Sequence, residues 1–150
     1  GDLLAQGDFP GAIAIYETLY RTHPDSLVVA NDLASLLSTN SDDPAQIARA
    51  ALIAAPLHGN GSPAVADTLG WIAYRQGETA RALPLLRRAA RGLPDDPGVR
   101  LRLAEVQAAS GQVDAAEASL ATALSLAGPE DPRVQATQAV IATRVSVPAQ

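Results

Sequence analysis

The chain has 150 residues, enough for one ordinary domain, and 47% of them are hydrophobic against 18% charged, the balance of a folded globular protein rather than a disordered one. Aromatic residues make up only 3% and alanine about a fifth, so the core must be built from small side chains at close approach. That favours an all-α fold and argues against an all-β one. A formal charge of −5, from 11 arginines, no lysine and 16 carboxylates, excludes the dense cationic surface that a phosphate backbone requires, and no nucleic acid partner is expected.

Along the chain, one apolar pattern recurs. Ala12, Tyr16 and Leu19 stand four and three residues apart, which places them on one helical face. A second helix follows, with Leu33, Ala34 and Leu36, and ends near a turn at Ser41. Asp43-Pro44 then sets a capping oxygen before a proline at the first helical position, and Gln46 is placed to complete a capping box. The triplet returns there as Ala48, Leu52 and Ala55. Ser62-Pro63 opens a helix with Leu69, Gly70 and Ile72, which a turn at Gly77 joins to Ala82, Leu86 and Ala89. Pro84 falls inside this last helix, removes one backbone hydrogen bond and predicts a mild bend. Asp96-Pro97 starts the next helix, with Leu103, Ala104 and Val106. Gly111 marks the turn before Ala116, Leu120 and Ala123, and Gly7 would be the matching turn of the first period. Gly61 and Gly128 suit the connections between periods. After Asp131-Pro132, Val134, Thr137, Ile141 and Val145 share one face of a final helix, with Arg133, Gln135, Gln138 and Arg144 on the other. Offsets of 36, 34 and 34 separate the triplets, so each period reads as a pair of antiparallel helices.

A period of this length, with leucine, a small residue, glycine, alanine, a larger apolar residue, alanine and a closing proline, resembles the tetratricopeptide repeat. Residues Leu69, Gly70, Gly77, Ala82, Leu86, Ala89 and Pro94 carry the resemblance best. It implies a right-handed superhelical solenoid with a partial repeat over 1–26, repeats over 27–62, 63–96 and 97–130, and a capping helix over 131–146. The opening at the middle of a repeat suggests a fragment of a longer array. Ala30, Ala66 and Arg100 replace the family's large aromatic, and the second unit carries two extra residues near Ser41 to Asp43, an insertion that costs little closure entropy in a surface turn.

Reactive groups do not converge in this sequence. His23 and His58 lie in turns without a second histidine at ligand spacing, and the chain has no cysteine for a disulfide or thiolate site. No serine sits in a glycine-framed elbow, and no glycine run forms a phosphate-cradling loop. The carboxylate pairs Asp42-Asp43, Asp95-Asp96 and Glu130-Asp131 stand at helix starts, where capping explains them. Asn60-Gly61-Ser62 fits a glycosylation pattern that a turn already accounts for. The expectation is a protein that is not an enzyme, with no catalytic residue, metal or cofactor. No apolar run is long enough to span a bilayer, so no direct membrane insertion of this segment is expected either.

The resemblance implies that the first helix of each pair lines a concave groove. Carried over by position, that groove holds Val28, Asn31, Ser35, Ser38 and Thr39, then Ala64, Asp67, Trp71, Tyr74 and Arg75, then Gly98, Leu101, Glu105, Ala108 and Ala109. The implied function is binding of a protein or peptide segment, with Trp71, Tyr74 and Arg75 as anchors, since these types combine large contact area with a polar handle. Asn31, Ser35, Asp67 and Glu105 would supply polar contacts. Trp71 has a second reading, in which it packs against the neighbouring repeat and fills the groove. A chaperone-tail clamp is not expected, because of the positions that would form it in the fourth unit only Arg102, not Gly98, carries a charge. The stretches Asn31 to Leu37 and Asp67 to Tyr74 are also similar to bacterial tetratricopeptide proteins of exopolysaccharide export and exosortase-type surface sorting. That similarity implies a scaffold of envelope assembly, in the bacterial cytoplasm or envelope. The alternatives are a substrate-recruiting arm of a larger enzyme, such as a glycosyltransferase or peptidase, and self-association through the open N-terminal repeat.

Overall fold

The computed structural model describes residues 8–146, and the expected turn at Gly7 lies outside them. Among the described residues the chain is all helical: α1 (Phe9–Thr22), α2 (Leu27–Asn40), α3 (Pro44–Ala54) continued by a 3₁₀ turn (Ala55–Leu57), α4 (Pro63–Arg75), α5 (Thr79–Gly92), α6 (Pro97–Ala109), α7 (Val113–Ala127) and α8 (Pro132–Ser146). None of these helices is long and apolar enough to cross a membrane.

Local chemistry sets the boundaries. The carboxylates of Asp43, Asp96 and Asp131 accept from the amides of Ala45 (2.9 Å), Val99 (3.3 Å) and Arg133 (2.8 Å), as the Asp-Pro pairs predict. Asp8 and Ser26 do the same for α1 and α2, through Gly11 and Val29. Ser62 is the exception. It precedes α4 without a side-chain cap, and its own amide donates to Asn60 Oδ1 at 2.8 Å, so the asparagine holds this turn. The expected capping box also does not form, because the Asp43 amide is taken by Ser41 Oγ at 3.1 Å. At Gly77 and Gly111 the backbone has φ of +85° and +80°. The amides of Glu78 and Gln112 reach back to the carbonyls of Ala73 and Gln107 (2.8 and 2.9 Å), closing α4 and α6 alike. The connection between α3 and α4 turns at Gly59 rather than Gly61 (φ +88°).

The second unit departs from the expected register. Ser41 is extended (φ −137°) where the third and fourth units have the left-handed Gly77 and Gly111, and the longer connection shifts α3 by two residues. Ala50, Ala54 and Leu57 therefore occupy the buried triplet, while Ala48 and Ala55 face water and Leu52 is 76% exposed. Within α8, Val134 and Ile141 are buried as expected, but Val145 in the last turn is exposed. Helix α5 continues through Pro84, whose ring faces solvent, to Gly92.

Helices pair within units, α2 with α3, α4 with α5 and α6 with α7, and each pair packs on the next, with α8 closing the stack against α6 and α7. Buried clusters succeed one another along it, through Leu33, Leu37, Ile53, Leu57 and Ile72, then Leu83, Leu86, Val99, Leu103 and Val106, then Ala104, Ala108 and Ile141 beside Leu101, Ala123 and Val134. Successive first helices (α2, α4, α6, α8) touch one another, whereas successive second helices make no comparable contacts. The stack therefore curves with its first helices on the inner side.

Alanine and glycine permit the approach. A Cβ added at Gly70 would stand 2.9 Å from Leu86 Cγ and 3.1 Å from Leu85 Cβ, inside α5. Gly70→Ala is expected to lower stability by up to about 2 kcal/mol, the overpacking cost of about 1–3 kcal/mol less the roughly 1 kcal/mol gain in helix propensity. Urea denaturation would show a lower midpoint at unchanged slope; a midpoint at or above that of the parent chain would refute the close contact.

Candidate functional site

The inner side carries an open pocket of about 880 Å³ where α4, α6 and α8 face the start of α3. Tyr74, Arg75, Glu105 and Arg144 supply its functional groups, and Pro44, Ile47 and Ala109 part of its apolar wall. Arg144 Nη2 donates to the Tyr74 hydroxyl at 2.9 Å, and the Glu105 carboxylate lies near enough to act on that hydroxyl's ionisation. Burial first, then the charge and hydrogen bond of Glu105, push the Tyr74 phenol up to about 12 against the opposing effect of Arg144. Arg75 reaches the preceding unit, donating to the Ser41 carbonyl and to Asp42 Oδ1 at 2.8 Å. The pocket thus presents two guanidinium groups and two carboxylates around one phenol, in pairs that are open to solvent on one side.

Of the residues expected in the groove, the structure brings Tyr74, Arg75 and Glu105 together here. Trp71 is not an exposed anchor. It is 9% exposed, its ring lies 5.1 Å from that of Tyr74, and its Nε1 donates to the Ser38 carbonyl of α2 at 3.2 Å. It packs against the neighbouring repeat, because the small residues of α2 leave a space that one large ring fills. Asp67, 8% exposed, is likewise occupied: Arg102 Nε and Nη2 meet its two oxygens at 2.7 and 2.5 Å, a bidentate tie between α4 and α6. Ser38, Gly98, Leu101 and Ala108 are buried. Asn31 and Ser35 are half-buried on α2, apart from this pocket. The Asn31 Oδ1 is a buried acceptor with no donor among the described residues.

Arg144 escaped the sequence reading, which put it on the outer face of a cap. The signal was available in the register. Helix α8 packs as a first helix does, and counted from its opening proline, Arg144 holds the place that Arg75 holds after Pro63 and Ala109 after Pro97. Among the described residues, no group of three or more histidine, aspartate or glutamate side chains could hold a metal ion.

The fold defines a helical-repeat solenoid with a polar pocket on its inner side. Residues 73–141, somewhat under half of the chain, match the tetratricopeptide repeat family. The fold agrees over nearly the whole chain with the thermophilic tetratricopeptide protein TTC0263 of Thermus thermophilus, at 21% identity and a TM-score of 0.65, covering 97% of this chain and 77% of that one. It agrees also with MamA, at 17% identity and a TM-score of 0.59, covering 96% and 86%. Comparison with curated proteins gives no match. The all-α solenoid expected from the sequence is the observed fold.

Two measurements separate packing from site. Trp71→Ala is expected to cost about 3–5 kcal/mol in urea denaturation, whereas Tyr74→Phe, which keeps the ring, stays within about 1 kcal/mol. Since the Tyr74 phenol is raised when folded, its contribution to stability is complete below about pH 10, the ordinary tyrosine value. It is lost as pH rises toward about 12, so stability falls across that window and Tyr74→Phe flattens the fall. An identical slope in both proteins would show that Tyr74 titrates normally.

Proposed function

We propose that this chain is a protein–protein interaction scaffold that binds a segment of a partner protein on its inner side and catalyses nothing itself. The tetratricopeptide fold supports the scaffold role, since stacked helix pairs produce both a continuous core and a long curved surface. The observation that carries the finer reading is the pocket formed by Tyr74, Arg75, Glu105 and Arg144, where an open, mixed-charge surface comes from three successive first helices. A peptide backbone and charged side chains can exchange with these groups without burying an unpaired charge. Trp71 and Asp67 serve the reading by holding α2, α4 and α6 in place.

A role in bacterial envelope assembly is the particular setting that the stretches Asn31 to Leu37 and Asp67 to Tyr74 favour, and membership of a larger enzyme as its recruiting arm is compatible with the same pocket. Self-association through the first repeat would engage residues before Asp8, outside those described.

Photocrosslinking tests the site. A benzoylphenylalanine placed at Ala109, on the pocket wall, is expected to capture a discrete partner in cells of the source organism, and one placed at exposed Glu117 on α7 is not. Glu105→Ala with Arg144→Ala should weaken the captured partner's affinity by roughly tenfold or more at unchanged helicity. Equal capture from both positions, or affinity insensitive to the double variant, would remove the pocket from the binding surface.

A further inference from the structure

Helix α5 concentrates the positive charge of an otherwise acidic chain. Four of the 11 arginines, Arg81, Arg87, Arg88 and Arg91, lie on it, with no carboxylate between Thr79 and Gly92. All four are exposed. Arg81 pairs with Glu78 at 2.9 Å, but Arg87 and Arg88 reach only Gln112 Oε1 and the Gly61 carbonyl, and among the described residues neither they nor Arg91 form an ion pair. Arg81, Pro84, Arg88 and Arg91 recur at intervals of three and four, so they form one stripe along the helix. Under that stripe lies a second pocket of about 370 Å³, distinct from the one on the inner side. Leu69, Pro84 and Leu85 are among its apolar lining, and His58, Arg81 and Arg88 are among its polar lining.

We infer that this outer surface binds an acidic protein segment that places one apolar side chain in the pocket and carboxylates on either side of it. The charge supplies the complement, since Arg81 and Arg88 line the pocket and Arg91 continues the track. From Arg81 to Arg91 the helix rises about 15 Å, the length of about five extended residues. The apolar lining selects a side chain over a bare polyanion. A nucleic acid does not fit, because beyond this one helix the chain has seven arginines against 16 carboxylates and repels a continuing phosphate backbone. An anionic membrane does not fit either, because the apolar face of α5 (Ala82, Leu83, Leu86, Ala89 and Ala90) is buried in the core and has nothing to insert. This inference is independent of the inner pocket and stands or falls apart from it.

The probe is a fluorescein-labelled decapeptide of aspartate and glutamate with a single central leucine, followed by fluorescence anisotropy on the whole chain. Saturable, salt-sensitive binding is expected. Arg81→Gln with Arg88→Gln should weaken it roughly tenfold, replacement of the leucine by aspartate should weaken it by about the same factor, and Tyr74→Phe should leave it unchanged. Arg81→Glu with Arg88→Glu should in turn bind the matching arginine and lysine decapeptide with leucine. A single-stranded oligonucleotide and phosphatidylserine vesicles are run alongside. The inference is overturned if the acidic peptide does not saturate, if the double glutamine variant binds it unchanged, if the leucine is immaterial, or if the oligonucleotide or vesicles bind through these arginines more tightly than the peptide. Because the substituted side chains are exposed, circular dichroism of each variant should match the parent chain; a variant that loses helicity is replaced by the single Arg88→Gln change, whose expected effect is a weakening of several-fold.

Discussion

Everything in this structure depends on how closely two helices can approach when the residue between them is alanine or glycine. Ala34, Ala50, Ala82, Ala89, Ala104, Ala116 and Ala123 are fully or almost fully buried, and each contributes little apolar area of its own. Their value is that they admit the larger residue opposite, as Gly70 admits Leu86 and Leu85. The same constraint recurs where the chain crosses itself. A Cβ at Gly92, the last residue of α5, would fall 2.3 Å from the Pro63 ring at the first position of α4, so the end of one helix of the pair is fitted to the start of the other. With so few aromatic residues available, contact distance replaces side-chain bulk as the means of filling space.

Stacking then needs something to fix each unit on the next, and the chain uses polar ties that reach one repeat along. Arg49 pairs with Glu17, Arg75 with Asp42, and Arg102 with Asp67, while Trp71 donates to Ser38. Their depth differs. The Asp67 pair is nearly buried and bidentate, so its removal would leave a charge without a partner, whereas the Asp42 carboxylate is fully exposed and its pair is screened by water. The Asp67–Arg102 pair and the Trp71–Ser38 bond are therefore the ties that set the inner surface, and Asp67 and Trp71 are no longer available to a ligand.

That distinction explains what could be read from the sequence. The helical pairs, most caps and the glycine turns were legible because each follows from local chemistry: Asp-Pro at a helix start, or a glycine at positive φ after its end. The register of α3 was not, since an extended Ser41 and a two-residue slip look like the ordinary period until the buried faces are compared. Position within the repeat put Tyr74, Arg75 and Glu105 on one inner stripe, and the structure brings the three to one pocket. Position alone could not separate them from Trp71 and Asp67, because whether a side chain on the inner stripe is free depends on what the adjoining repeat offers, a carbonyl at Ser38 or a guanidinium at Arg102. Arg144 was missed for the related reason that a closing helix was read by its polarity, when its packing makes it another member of the inner row.

The Tyr74 to Arg144 hydrogen bond differs from the other ties in reach. It spans 70 residues in sequence and joins α4 to α8 across the intervening α6, closing two steps of the stack at once. Where the shorter ties hold neighbours in register, this one works as a clasp on the bend of the whole inner arc. A guest group that takes the Tyr74 hydroxyl from Arg144 Nη2 opens the clasp, and the bend is then held by the shorter ties alone. Flexural stiffness of the solenoid thereby becomes a property that a bound segment can set.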